Sequence, residues 1–216
     1  STVRADATGT ARMVAKEALV VSGLEIAREI MRLVDPSIQF ASRVEDGQAV
    51  AAGALLAEAR GPARSLLTAE RTTLNFLQRM SGIATLSRRY VETIAGLHAR
   101  IVDTRKTVPG LRALDKYAVS CGGAMNHRMG LFDGVLIKNN HIAFNVDAAH
   151  AVKAARRNLG HLVKIEVEAH RLDEVDSVIA AGADVVLLDN FTPEETRQAV
   201  AIGAGRGPLE SSGGIT

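Results

Sequence analysis

Five short apolar runs in the second half of this chain each stop at charged or hydroxyl residues. That repetition limits the possible folds more than any other feature. The runs, expected as strands, are 99–104, 134–138, 162–168, 184–189 and 209–212. Their ends carry Asp103-Thr104-Arg105-Lys106-Thr107, Lys138, Glu168, Asp189 and Glu210-Ser211-Ser212-Gly213-Gly214. Helical spacing fills the intervals at 111–121, 146–159, 172–181 and 193–202. Thr192-Pro193-Glu194-Glu195 supplies an N-cap, an N1 proline and a capping-box glutamate for the last of these. Strands alternating with helices predict a parallel sheet, and a barrel wrapped by helices is one solution. Five strands are too few to close one, so the barrel is expected to be incomplete, its C-terminal strands missing.

The first third reads differently. Residues 10–21 are consistent with strand, and 24–34 form an amphipathic helix stopped by Asp35-Pro36-Ser37. A hairpin is expected over 43–59, around Asp46-Gly47 and Gly53. Residues 44–55 also resemble lipoyl and biotinyl carriers. Those present a modified lysine, and residues 17–105 contain none, so a structural sheet is the better account. From Ala63 to about Ala95 no proline occurs and helix dominates, with Ser81-Gly82 its weak point. The fold expected is α/β: an N-terminal α/β sandwich-like domain with its connecting helix over 1–80, then an incomplete-looking α/β barrel of parallel strands over 81–216. On the connecting helix, Glu70 and Arg71 fall within and beside a stripe of Leu66, Leu67, Leu74 and Leu77. Either they form a partly buried ion pair or they serve a site.

Composition removes several functions. Lys plus Arg is 26 against 24 for Asp plus Glu, a net charge of +2, too even for a strongly basic nucleic-acid binder. Aromatics are 3%, with no Trp to stack on bases. No apolar run approaches the roughly 20 residues of a membrane span. Cys121 is the single cysteine, which excludes multi-cysteine metal sites and fits a reducing cytoplasm. No signal-peptide layout opens the chain, which starts without Met.

In α/β barrels the C-terminal strand ends converge on the active site. The pattern therefore gathers Arg105, Lys106, Lys138, Glu168, Asp189 and Ser212 at one mouth. Its cations suit an anionic substrate, with Arg able to pair bidentately with carboxylate or phosphate. Two carboxylates suit a divalent metal or sugar hydroxyls, and Ser212-Gly213-Gly214 has the composition of a phosphate cradle. Residues 122–130 form a glycine-led loop that adds His127 and Arg128. Glu166 is read as an inner partner of Lys164. His98, His150, His161 and His170 are read as surface or structural, and Arg88-Arg89 and Arg156-Arg157 as solvated helix faces.

These residues resemble one family, quinolinate phosphoribosyltransferase, also called nicotinate-nucleotide pyrophosphorylase (carboxylating). The resemblance runs through residues 69–75, 81–85, 103–112, 116–119, 122–130, 136–141, 187–190 and 209–214. Its most specific blocks are Asp103-Thr-Arg-Lys-Thr107 and Asn126-His-Arg128. Departures are Asn139, where the family is expected to carry Asp, a shortened stretch at 144–146, and the family's N-terminal helix, last strands and C-terminal segment. The resemblance implies transfer from phosphoribosyl pyrophosphate to quinolinate with decarboxylation, giving nicotinate mononucleotide in NAD biosynthesis. Arg71, Arg105, His127 and Arg128 would hold the dicarboxylate. Thr104 would also contact substrate, and Lys106 and Lys138 would meet carboxylate and phosphates. Glu168 and Asp189 would hold ribose hydroxyls and Mg²⁺, and Ser212 and Gly213 the 5′-phosphate. Lys106, Glu168 and Asp189 are the catalytic candidates. The family's dimers imply a homodimer with Arg71 donated in trans. Two readings stay open beside this one: a nicotinate-using relative, which would need fewer arginines, and a non-enzymatic barrel binding an anionic metabolite.

Overall fold

A computed structural model describes residues 2–215. By contact density they form two compact units, one reaching to His127 and one running from Arg128 onward.

The first unit contains β1 (Thr8–Val14), β2 (Leu19–Val20), α1 (Leu24–Val34), β3 (Gln39–Ser42), β4 (Ala49–Val50), β5 (Leu55–Pro62), α2 (Ala63–Thr93) and α3 (Arg112–Cys121). An antiparallel sheet in the order β1-β5-β3 buries one face, while β2 pairs with β4. The expected hairpin over 43–59 therefore does not form. β4 goes to β2, and β5 lies between β1 and β3, where Leu56, Ala57 and Ala59 join a core with Met13, Val21, Leu24, Met31 and Leu66. Burial on the central strand outweighs the local turn signal. Helix α1 has the predicted bounds and buries Leu24, Ala27 and Met31. Its first N–H groups are capped from a distance: Asp46 accepts from Gly23 N–H at 2.9 Å and Leu24 N–H at 3.1 Å. Gly23 has φ +104°, and a Cβ there would press on the Met80 sulfur.

Helix α2 runs unbroken for 31 residues, through the suspected weak point. Ser81 there is a contact, not a break: its buried hydroxyl accepts from Ser22 N–H at 3.1 Å and donates to Ser22 O at 3.3 Å. The buried stripe is Leu66, Ala69, Thr73, Leu77, Met80, Ser81 and Ala84. Leu67 lies off it and is 57% exposed. Arg88 is not a solvated face residue, because it donates to Gly122 O at 2.9 Å and also reaches Gly47 O. The strand expected at 99–104 shrinks to one bridge between Val102 and Met125. Both side chains are well exposed, so extending the pairing would bury little.

The second unit alternates β6 (Val135–Ile137), α4 (Asn139–Ile142), α5 (Ala148–Asn158), β7 (Ile165–Ala169), α6 (Leu172–Ala180), β8 (Val185–Asp189), α7 (Pro193–Gly203) and β9 (Leu209–Ser212). The four strands form a parallel sheet in the order β6-β7-β8-β9. This is the α/β architecture expected, an open part of a barrel. Ile165 and Val167 on β7 and Val186 and Leu188 on β8 pack with Val152 on α5, Val175 and Val178 on α6 and Ala199 on α7. The Thr192–Glu195 capping box forms as predicted. Arg156 is no solvated residue either: it ties Val163 O, Gly182 O and the Asp184 carboxylate together.

Candidate active site

On β7, Ile165, Val167 and Ala169 are fully buried in the apolar core. Strand alternation sends Glu166 and Glu168 to the opposite face. Glu168 lies beside the end of β6, where Lys138 Nζ donates to its Oε2 at 2.7 Å. The other carboxylate oxygen, Oε1, is 3.3 Å from His170 Nε2, and His170 Nδ1 is 3.5 Å from Asp189 Oδ2 at the end of β8. Asp189 pairs in register with Ser212, and Asn190 N–H donates to Ser212 O at 2.7 Å. The turn after β9 is sterically set: Asn190 has φ +58°, Gly213 has φ +83°, and a Cβ on Gly213 would collide with the Asn190 side chain. Lys138, Glu168, Asp189, Ser212 and Gly213 are thus brought to one end of the parallel sheet, as the strand-end pattern predicts.

His170 joins them, against the reading of it as structural. The signal was present, since His170 continues the i, i+2 alternation of Glu166 and Glu168. A neutral imidazole has one N–H, yet both ring nitrogens here face carboxylates. One such nitrogen is a natural place for a cation. Glu168, His170 and Asp189 each offer a ligand atom, all within 4.8 Å of one another. Two carboxylates are the oxygen donors that a hard divalent ion takes, so the residues fit Mg²⁺.

Glu166 is not the partner of Lys164. Lys164 Nζ lies 3.3 Å from Asp184, whereas Glu166 is buried and hydrogen-bonded to Glu210. Lys164 and Asp184 stand immediately before β7 and β8, respectively. Burial pushes the Glu166 carboxyl above the usual range, against the opposing pull of Glu210, Arg128 and Lys138. Arg128 reaches Gly134 O at 2.8 Å.

In the first unit, Thr104, Arg105 and Lys106 lie on an irregular segment. The Lys106 N–H donates to Thr104 Oγ1 at 3.0 Å, and Arg105 Nε is buried without a partner. His127 hangs on the same segment through its N–H, 2.8 Å from Asp103 Oδ1. Arg71 stands apart, exposed on α2. The suspected partly buried ion pair does not form: Glu70 and Arg71 are both exposed, and neither is ion-paired among the described residues.

Comparison with known proteins covers nearly all of this chain. The family model for the quinolinate phosphoribosyl transferase N-terminal domain matches residues 1–81, and that for its C-terminal domain matches residues 83–216. A Synechocystis protein named probable nicotinate-nucleotide pyrophosphorylase [carboxylating] is 46% identical over 96% of this chain and 72% of its own length. A Bacillus subtilis protein of the same name is 44% identical over 95% of this chain and 71% of its own. The crystal structure of NadC from Streptococcus pyogenes superposes with a TM-score of 0.95 at 38% identity, covering 99% of this chain and 76% of that one.

Proposed function

The chain belongs to the quinolinate phosphoribosyl transferase family, and from that premise we propose how its residues divide the work. The reaction joins phosphoribosyl pyrophosphate to quinolinate and releases pyrophosphate and carbon dioxide, giving nicotinate mononucleotide for NAD biosynthesis. The observation that carries the assignment of roles is the Lys138–Glu168–His170–Asp189 group at adjacent parallel strand ends.

Quinolinate brings two carboxylates, and Arg71, Arg105, His127 and Arg128 hold them. Thr104 adds a hydroxyl, and Lys106 and Lys138 bridge toward the phosphates of the second substrate. Ser212 and Gly213 receive the 5′-phosphate, Ser212 through its hydroxyl and the exposed Gly213 through its backbone. Glu168 and Asp189 bind the ribose hydroxyls and face the anomeric carbon. As pyrophosphate departs, positive charge grows on that carbon and the two carboxylates stabilise it. The pyridine nitrogen then completes the new bond, with no covalent enzyme intermediate. The resulting pyridinium stabilises the electron pair left at C2 when carbon dioxide leaves, and a proton takes its place. Lys106, Glu168 and Asp189 are the catalytic residues in this scheme. Mg²⁺, held by Glu168 and Asp189, would neutralise pyrophosphate charge. Catalysis is positioning and electrostatics.

The same proposal includes a homodimer in which Arg71 serves the partner's site; its exposure and lack of an ion pair support this. It also includes a cytoplasmic setting, consistent with a free Cys121. Among the described residues no helix is long and apolar enough to cross a membrane. Pyrophosphate release with quinolinate, and far less with nicotinate, tests the substrate reading; equal turnover of both would overturn it. Mixing Arg71→Ala with Lys106→Ala under subunit exchange tests the dimer. Each hybrid dimer should regain one working site, about half of wild-type activity per dimer, and background activity after confirmed exchange would mean that Arg71 serves its own chain or none.

A further inference from the structure

Lys116 is the largest fully buried side chain in the protein, 1% exposed, and the roles assigned above do not use it. It projects from α3, which carries no candidate substrate residue. Its ammonium pairs with the Asp103 carboxylate, itself 8% exposed, and donates to His127 O at 2.9 Å. Asp103 in turn accepts from the His127 N–H at 2.8 Å. The main chain of His127 is thus gripped on both sides, its N–H by Asp103 and its carbonyl by Lys116. Asn126 closes the arrangement. Assigned from its surroundings, its amide nitrogen donates to Asp103 Oδ2 at 2.8 Å and Lys116 O at 2.9 Å, and its oxygen accepts from Ser120 Oγ at 3.0 Å.

We infer that Lys116 is a positioning residue for quinolinate: through Asp103 it fastens the segment bearing Arg105 to the segment bearing His127. The bonds favour this over a stabilising ion pair alone. Asp103 is two residues before Arg105, and Lys116 contacts the His127 backbone itself. The far end of the Arg105 segment is fixed in the same manner. Asp115, next to Lys116 on α3, accepts from the Val108 N–H at 3.2 Å and is held by Arg79 through bonds of 2.8–3.0 Å. Residues 103–108 have no sheet or helix to hold them, and these two carboxylates supply the missing anchors. The Arg105 guanidinium is left with a buried, unpartnered Nε, which is what a group reserved for a ligand requires.

This inference rests on the proposed roles of Arg105 and His127, and the experiment separates the two. Quinolinate and phosphoribosyl pyrophosphate KM values and thermal midpoints are measured for wild type, Lys116→Met and the Asp103→Asn/Lys116→Met double variant. Wild type without quinolinate-dependent pyrophosphate release would overturn the functional reading before any variant is compared. Given normal wild type, Lys116→Met should raise the quinolinate KM at least tenfold, with the other KM moving less than threefold and a lowered midpoint. The double variant leaves no charge unpaired, so its midpoint should recover while the quinolinate KM stays high. Recovery of both together, or parallel rises in both KM values, would make the pair merely structural and overturn the inference. Should these variants not fold, exposed Asn126→Ala serves. Its quinolinate Kd by calorimetry should rise about threefold at an unchanged midpoint, and an unchanged Kd would overturn the inference.

Discussion

Two groups of charges in this molecule are built from the same residue types and do opposite things. In the first unit, Lys116 and Asp103 are 1% and 8% exposed, and their bonds run to each other, to His127 and to Asn126. In the second, Lys138, Glu168, His170 and Asp189 are 48%, 11%, 30% and 27% exposed, and the His170–Asp189 contact stretches to 3.5 Å. One group is saturated and buried; the other is loosely paired and open on one side. A saturated group fixes backbone. An open one keeps unspent interaction energy for a ligand, and spends it where charge changes during reaction.

The sharpest way to break this contrast is to neutralise the open group. Glu168→Gln and Asp189→Asn keep shape and lose charge. Each should lower kcat by roughly 100- to 1000-fold, the cost typical of removing a preorganised electrostatic partner. Quinolinate affinity should change little, and the thermal midpoint should hold. Near-normal turnover in steady-state assays of both would dissolve the distinction.

A smaller effect sharpens it. Arg105→Ala and Arg128→Ala should each weaken quinolinate binding by about 1.5–3 kcal/mol, as expected for a charge-assisted bond, with phosphoribosyl pyrophosphate binding nearly intact. They should differ in stability. Arg105 leaves a buried nitrogen unpartnered, so its removal should not destabilise the fold, whereas Arg128 also holds Gly134 O. Calorimetric titration and melting curves read both, and unchanged affinity in both variants would remove the arginines from the site.

The smallest effect concerns a saturated carboxylate that shares a unit with the open group. Burial works against ionisation of Asp184. Bonds from Arg156, the Ile165 N–H and Lys164 outweigh it, so its pKa lies below the ordinary aspartate range. A folded pKa below the unfolded one adds stability at neutral pH that is lost as pH falls through the folded value. Asp184→Asn should therefore cost about 1 kcal/mol near pH 7. Its stability curve should converge on wild type as pH drops below the ordinary aspartate range, with kcat unaltered. A constant gap down to pH 2 in denaturant titrations would contradict this.

Much of the second unit was legible because its two periods do not compete. Apolar pairs such as Val186 and Leu188 specify the helix-facing side of a parallel strand, and polar residues cluster where each strand ends. The bounds of β9 and α1 follow from the residues alone. Where long-range partners decide, the residues mislead. Asp46-Gly47 looks like a hairpin turn, yet Asp46 caps α1 and accepts from the Tyr117 hydroxyl at 2.9 Å. Val102 looks like a strand centre, but nothing is there to cover it. A single histidine reads as surface or structural, and only the two-residue offset of His170 from Glu168 marks it for the site. Lys116 falls within residues 116–119 of the family resemblance, yet nothing in a lone helical lysine announces that it is buried.

Helix α2 also sets a phase. Along one uninterrupted rod it carries Arg71, then Arg79 at Asp115, Ser81 at Ser22 and Arg88 at Gly122. Adding one residue between Arg71 and Arg79 would turn everything beyond it by about 100° and advance it by about 1.5 Å. The three docked contacts would hold their places, so the misalignment would fall on Arg71 and on the buried Leu66 and Ala69 before it. This stretch should therefore tolerate substitutions at its exposed positions and reject changes of length. The loop between α4 and α5 is under no such constraint, and length variation among members of the family should collect there.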